Sequence, residues 1–240
     1  MPRIGVITGL LREADCLSNP SPGRLAEDEH LAEDGVIVAS VGGDAKRIKT
    51  VIQQLVALGC GGLVSFGIAA GLDRGLEPGD LIAAGTVQLP TGDLIKTNSA
   101  WRKRLWNKAK EAEIKLIQGP IVGVEHIVDD PQGKMRLNAA TAAIAADMES
   151  HIIAYEAMRA GLPFIVVRAI ADPHNRVIPP AAWNALTPYG DERVGPVLLG
   201  LLRRPHNLPA LIQLAGDTKT AISSLAKIGS LDGGMFGFLD

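Results

Sequence analysis

Asp147-Met148-Glu149-Ser150 opens the stretch that decides the fold, and Val167-Arg168-Ala169-Ile170-Ala171-Asp172 closes it. Between them, His151 to Ala160 is a predicted helix stopped by Gly161. Pro163-Phe164-Ile165-Val166-Val167 follows, an apolar run rich in β-branched residues that reads as a buried strand. Glu149 therefore sits at the first turn of a helix, and Asp172 just beyond the carboxyl end of a strand. Open α/β sheets bind ligands at those two places, beside helix N-termini and strand carboxyl ends. Two acids at one sheet edge point to chemistry on a polar small molecule.

Working outward, the pattern repeats. Ile4 to Thr8 and Val36 to Ser40 are predicted strands, and Asp44 caps a helix whose apolar residues Ile48, Val51, Ile52 and Leu55 fall at helical spacing. Gly61 to Phe66 is a buried strand feeding Gly67-Ile68-Ala69-Ala70-Gly71, where small residues allow close approach of backbone to a ligand. Leu81 to Leu89 and Pro120 to Val124 complete the strands. This alternation over residues 1–172 predicts a single α/β domain spanning 1–240, its mixed sheet flanked by helices. Ser18 to Asp34 reads as a polar loop. Residues 173–209 carry seven prolines and read as an irregular excursion, 208–227 as a helix, and 229–240 as a flexible C-terminal tail.

Composition narrows the function. A chain of 240 residues, 47% of them hydrophobic, buries roughly 70–75% of its unfolded surface, enough for a substantial core. A net charge of −2 offers no field for nucleic acid. Cys16 and Cys60 lack metal-ligand spacing and read as free thiols of a reducing compartment, and His126, His151, His174 and His206 are scattered, so no metal site is expected. No run approaches the roughly 18 apolar residues that a spanning helix needs, and the first residues read as a strand, not a leader. A cytoplasmic enzyme-like domain is the expectation.

Four motifs, in order, give the chain a resemblance to the nucleoside phosphorylase and nucleosidase superfamily. They are Ile4-Gly5-Val6-Ile7 with Leu10-Leu11-Arg12-Glu13; Gly67 to Leu72 with Pro78-Gly79-Asp80; Asp147 to Ser150; and Val167 to Asp172. The resemblance implies a three-layer α/β/α fold with a partly barrel-like sheet, a homodimer, and cleavage of the N-glycosidic bond of a nucleoside without a cofactor. A narrower resemblance, carried by Asp147 to Ser150, Gly161 to Phe164 and Arg203-Arg204-Pro205, is to the hopanoid-associated phosphorylase-like branch. It implies removal of adenine from adenosylhopane in hopanoid biosynthesis. Within the superfamily the alternatives are a methylthioadenosine/adenosylhomocysteine nucleosidase and a phosphorolytic purine nucleoside phosphorylase. Outside it, the rival is a non-catalytic nucleoside-binding or lipid-handling protein, against which the retention of three acids argues.

The roles divide among those acids. A carboxyl group at a desolvated strand end can stay protonated near neutral pH, which makes Asp172 the expected general acid toward the departing base. Glu149, ionised with help from the helix dipole, accepts from both ribose hydroxyls. The resemblance places Met148 against the sugar and makes Glu13 the group that readies water. It also places Ile68, Ala69, Ala70 and Gly71 in the ligand-binding turn and Leu10 on the apolar 5′ side. Related phosphorylases offer a Ser at the position of Ile68, so water is favoured as nucleophile and phosphate is kept as the alternative co-substrate. Ile127 and Val128 align with the base-stacking segment, although ordinary core packing fits them nearly as well. The expected ligand is an adenosine with an apolar 5′ substituent. Val177, Ile178, Trp183, Leu186 and Tyr189 fit either the wall of a lipid-accepting cleft or a subunit interface. Peripheral membrane contact is compatible with such a substrate, but no amphipathic basic helix demonstrates it.

Overall fold

The computed structural model describes residues 3–17, 35–180, 207–231 and 236–238. Its strands are β1 (Arg3–Thr8), β2 (Val36–Ser40), β3 (Cys60–Gly71), β4 (Leu81–Gln88), β5 (Leu94–Lys96), β6 (Leu116–Gly123), β7 (Ala145–Asp147) and β8 (Phe164–Asp172). The helices are α1 (Leu11–Ala14), α2 (Ala45–Ala57), α3 (Ser99–Glu111), α4 (Pro131–Thr141), α5 (Ser150–Ala160) and α6 (Leu208–Gly229).

The strands form one mixed sheet in the order β2-β1-β3-β7-β6-β4-β5, and β8 bridges β3 and β4. β8 runs parallel to β3 and antiparallel to β4, which closes β3, β7, β6, β4 and β8 into a ring. The sheet is thus partly a barrel, with β1 and β2 extending it as an open edge. One side of the sheet packs on α2 and α5 through Ile48, Val51, Ile52, Leu55, Ile153, Ala154 and Ala157. The other packs on α1, α3 and α6 through Ala14, Trp101, Leu105, Ala109, Ala221, Leu225 and Ile228. The mixed sheet flanked by helices expected from the alternation, and the three-layer α/β/α architecture that the resemblance implied, are the observed ones.

Local signals explain several elements. The Asp44 carboxylate accepts from the backbone N–H groups of Lys46 and Arg47 at 2.8 and 3.1 Å and starts α2. Gly161, at φ +67°, stops α5 in the left-handed conformation that glycine adopts without strain. Three expectations change. Gly67 to Gly71 is not a turn but the continuation of β3. Two helices that the pattern reading left unassigned, α3 and α4, begin at Asn98 and Asp130, whose side chains cap the backbone N–H of Trp101 and Gly133. The tail is not loose where it is described. Phe236 is fully buried, Trp101 Nε1 donates to its carbonyl at 2.9 Å, and Phe238 packs on the Trp101 ring at 4.6 Å. Aromatic burial of this kind outweighs the glycines that suggested mobility. The polar stretch 18–34, most of the 173–209 excursion and Trp183, Leu186, Tyr189 and Arg203 to Pro205 lie outside the described residues.

Candidate functional site

The middles of β3 and β8, the carboxyl end of β7 and the starts of α1 and α5 converge around one guanidinium. Arg168 lies in β8, flanked by buried apolar residues and itself only 1% exposed. Such a cation must be paired to be tolerated. Its Nε donates to Asp147 Oδ2 at 2.5 Å, and its Nη2 donates to Ser65 Oγ at 2.8 Å, Ser150 Oγ at 3.1 Å and, more distantly, Glu149 Oε2 at 3.4 Å. Ser150 also donates to Asp147, through both its backbone N–H and its hydroxyl. Asp147 thus serves the scaffold, and Glu149 keeps most of its acceptor capacity.

Glu13 stands on the other side of Arg168. Its Oε2 accepts from the N–H groups of Gly9 and Leu10 at 2.9 and 2.8 Å, and its Oε1 from that of Ile68 at 2.9 Å. Leu10 and Ile68 therefore hold Glu13 through their backbone. Gly67 opposes Arg168 across the β3–β8 ladder. A Cβ on Gly67 would stand 2.5 Å from Arg168 Nη1 and 2.7 Å from Glu13 Oε1. The glycine makes room for both side chains inside the protein. A Cβ on Gly9 would stand 2.9 Å from Glu149 Oε1, so Gly9 performs the same service for the second acid.

Three acids around one cation have consequences for their protonation. Burial, reinforced by Asp147 and Glu13 and opposed by Arg168, pushes Glu149 up to about 7. The rise runs against the help expected from the helix dipole and brings the ionisation of Glu149 close to neutral pH. Glu149 is the N-cap residue of α5, but its side chain makes no capping hydrogen bond, and burial outweighs the dipole. Burial likewise raises Glu13 above its ordinary value, against Arg168 and the three N–H donors.

Asp172 ends β8. The register to β3 slips at Ala171, a bulge that re-aims the last residue of the strand. Its side chain is 11% exposed, and burial raises its carboxyl above the ordinary range while Lys134 opposes the rise. Lys134, on α4, is completely buried with Nζ 2.7 Å from Asp172 Oδ2. The backbone N–H of Ile178 donates to Asp129 O at 2.8 Å, which sets the loop carrying Ile127 and Val128 against the turn after Asp172. Ile127 is exposed and Val128 half-buried, so neither belongs to the buried core. Ala70 pairs with both Asp172 and Ala146, so β3 spans the two acid-bearing strand ends. Ala69 belongs to the apolar core, and Gly71 faces Pro173, a Cβ there lying 3.2 Å from its Cα. Met148 is half-buried between Asp147 and Glu149.

The structure thus joins Glu13 and Glu149 through Arg168 and places Asp172 beyond them on the same strand as Arg168. Arg168, Asp147, Ser65 and Ser150 were not among the expected site residues, and Lys134 was missed altogether. Among the described residues no helix is long and apolar enough to cross a membrane.

A sequence profile described as the phosphorylase superfamily matches residues 23–183, about two thirds of the chain. No curated protein matches it. Solved structures resemble it over nearly their whole length. A 5′-methylthioadenosine/S-adenosylhomocysteine nucleosidase from Neisseria meningitidis, in complex with methylthio-immucillin-A, is 17% identical with a TM-score of 0.71 and full coverage of both chains. The corresponding nucleosidase and the futalosine hydrolase of Helicobacter pylori are each 17% identical, with TM-scores of 0.68 and 95% coverage of both chains. At these identities the likeness is one of fold.

Proposed function

The chain belongs to the phosphorylase superfamily, and from that premise we propose that it cleaves the N-glycosidic bond of a 5′-modified adenosine and releases adenine, with water as nucleophile. The observation that carries the proposal is the division of labour around Arg168. Asp147 takes the short ion pair at 2.5 Å, which leaves Glu149 free to accept from ribose hydroxyls. A carboxylate there also supports the positive charge that develops on the sugar as the bond breaks. Asp172 protonates the departing base, a contribution of roughly 10²–10⁴-fold. Glu13, pinned by three backbone donors, faces the same guanidinium and accepts the proton of the attacking water.

Water is favoured over phosphate for two reasons. Ile68 carries no hydroxyl to donate to a phosphate oxygen. Glu13, Asp147 and Glu149 around a single guanidinium also make a poor host for a dianion. Within the class of 5′-modified adenosines, adenosylhopane is the preferred substrate, supported by the sequence motifs of the hopanoid-associated branch. The second reading, a methylthioadenosine/adenosylhomocysteine nucleosidase, is favoured by the named activities of the structural relatives from Neisseria meningitidis and Helicobacter pylori. Buried Leu10 suits either apolar 5′ group.

Adenine release from adenosylhopane and from methylthioadenosine, each with and without phosphate, separates these readings. Turnover of the first without phosphate is the expected result. Turnover of methylthioadenosine alone selects the second reading, and strict phosphate dependence reverses the choice of nucleophile. Release from neither sinks the proposal.

A further inference from the structure

Lys134 sits in the middle of α4 with no exposed surface. A buried ammonium is costly unless each of its donors is satisfied. Here Nζ donates to Asp172 O at 3.2 Å, Pro173 O at 3.0 Å and Arg176 O at 3.3 Å, which accounts for its three N–H groups. The contact of 2.7 Å with Asp172 Oδ2 is therefore mainly electrostatic, and Oδ2 is buried without an aligned hydrogen bond of its own. Oδ1 remains as the oxygen that can meet a ligand. The far side of the same turn is tied down as well, because Arg176 Nε donates to Asp217 Oδ2 of α6 at 2.5 Å. Among the described residues, the charged groups around Asp172 are thus Lys134 from α4, Arg176 from the turn and Asp217 from α6, with His174 following on the turn.

We propose that Lys134 is a positioning residue for Asp172: its ammonium fixes Oδ2 and the turn from Asp172 to Arg176, so that Oδ1 alone faces the base and carries the proton exchanged with it. The inference rests on the reading of Asp172 as proton donor. The electron pair of the breaking C–N bond goes to the base, which takes the proton from Oδ1. Asp172 is left as a carboxylate that Lys134 neutralises. Water adds to the sugar carbon and gives its proton to Glu13; Glu13 then releases that proton to solvent, and solvent restores the proton of Asp172. Without Lys134 a carboxyl this deeply buried would hold its proton too tightly to be an efficient donor.

The test compares wild type with Lys134→Met, with Lys134→Gln in reserve because its amide still donates to two of the carbonyls. Two readouts are followed: the ¹³C titration of the Asp172 carboxyl, and the pH profile of kcat/KM for adenine release. Loss of the ammonium is expected to move the Asp172 midpoint, and with it the alkaline limb of kcat/KM, to higher pH. In an Asp172→Asn background the Lys134 substitution is expected to cost no more than about a further twofold, because the residue through which it acts is gone. An unmoved Asp172 midpoint, or losses that multiply in the double variant, overturns the proposal. Should wild type release adenine from no nucleoside, the reaction fails as assigned, while the carboxyl titration still decides the role of Lys134.

Discussion

Arg168 lies 2.5 Å from Asp147 but 3.4 Å from Glu149, and this inequality sets the character of the site. A guanidinium shared equally would leave both acids ionised and occupied. Committed to Asp147, it leaves Glu149 half-neutralised, buried and still able to accept hydrogen bonds.

A stability cost follows at Glu149. Its carboxyl is raised from the usual 4.5 to about 7, so between those values the folded protein holds a proton that the unfolded chain has lost. Stability therefore falls as pH rises from about 4.5 to about 7, by on the order of 3 kcal/mol from this group. Glu149→Gln removes the penalty. The variant is expected to melt higher than wild type at pH 8 and equally at pH 4.5, while losing adenine release. Calorimetry at the two pH values checks it.

Arg168→Met removes the cation from the buried carboxyls of Glu13 and Asp147 and from the partly exposed one of Glu149. The expected loss is about 3–5 kcal/mol, the usual cost of stranding a buried charge. Without the guanidinium the acids bind protons more tightly in the folded state, so the loss is larger at pH 8 than at pH 5. Denaturant midpoints at both values measure the difference.

Gly67→Ala places a methyl group 2.5 Å from Arg168 Nη1 and 2.7 Å from Glu13 Oε1. Both ends are buried and committed to partners, so neither can swing aside freely. A destabilisation of about 1–3 kcal/mol is expected. Activity should fall further than stability, by more than tenfold in kcat/KM, because the shift falls on the catalytic constellation. Urea unfolding and steady-state kinetics on one preparation separate the two effects.

The legible parts of the fold were those with a local signal. Asp44 announced α2 by its cap, Gly161 ended α5, a short apolar run marked β3 and a β-branched one marked β8. Ring closure was legible only through the family resemblance, which implied a partly barrel-like sheet, because the β8–β4 pairing joins residues far apart in sequence without a pattern of its own. Arg168 could have been found, since an arginine amid Val166, Val167, Ala169 and Ile170 has no solvent to reach and must have buried acids nearby. Lys134 could not. Lysine suits a solvated helix face, and nothing in Pro131 to Thr141 distinguishes the one that turns inward. The tail misled because its glycines are conspicuous, whereas the partners of Phe236 and Phe238, chiefly Trp101 and Arg104, lie more than 130 residues away.

Burial raises the carboxyls of both Glu13 and Glu149 beside Arg168, yet substitution by glutamine should act on them unequally. Glu149 takes no backbone donor from a neighbouring residue and only a 3.4 Å contact from Arg168, so an amide in its place strands no neighbour's backbone N–H. Glu13 accepts on both oxygens, from Gly9 and Leu10 on one and from Ile68 on the other. Whichever way an amide in its place is turned, the NH₂ group faces a backbone N–H, and that donor is left unpaired in the interior. The penalty for a buried unsatisfied donor is about 1–3 kcal/mol. Glutamine also relieves Glu13 of the ionisation penalty that burial imposes, so the unpaired donor should show at pH 8 as a melting temperature below that of Glu149→Gln. Amide hydrogen exchange at Gly9, Leu10 and Ile68 should quicken only in the Glu13 variant. Equal melting temperatures for the two variants would refute this account of how Glu13 is held.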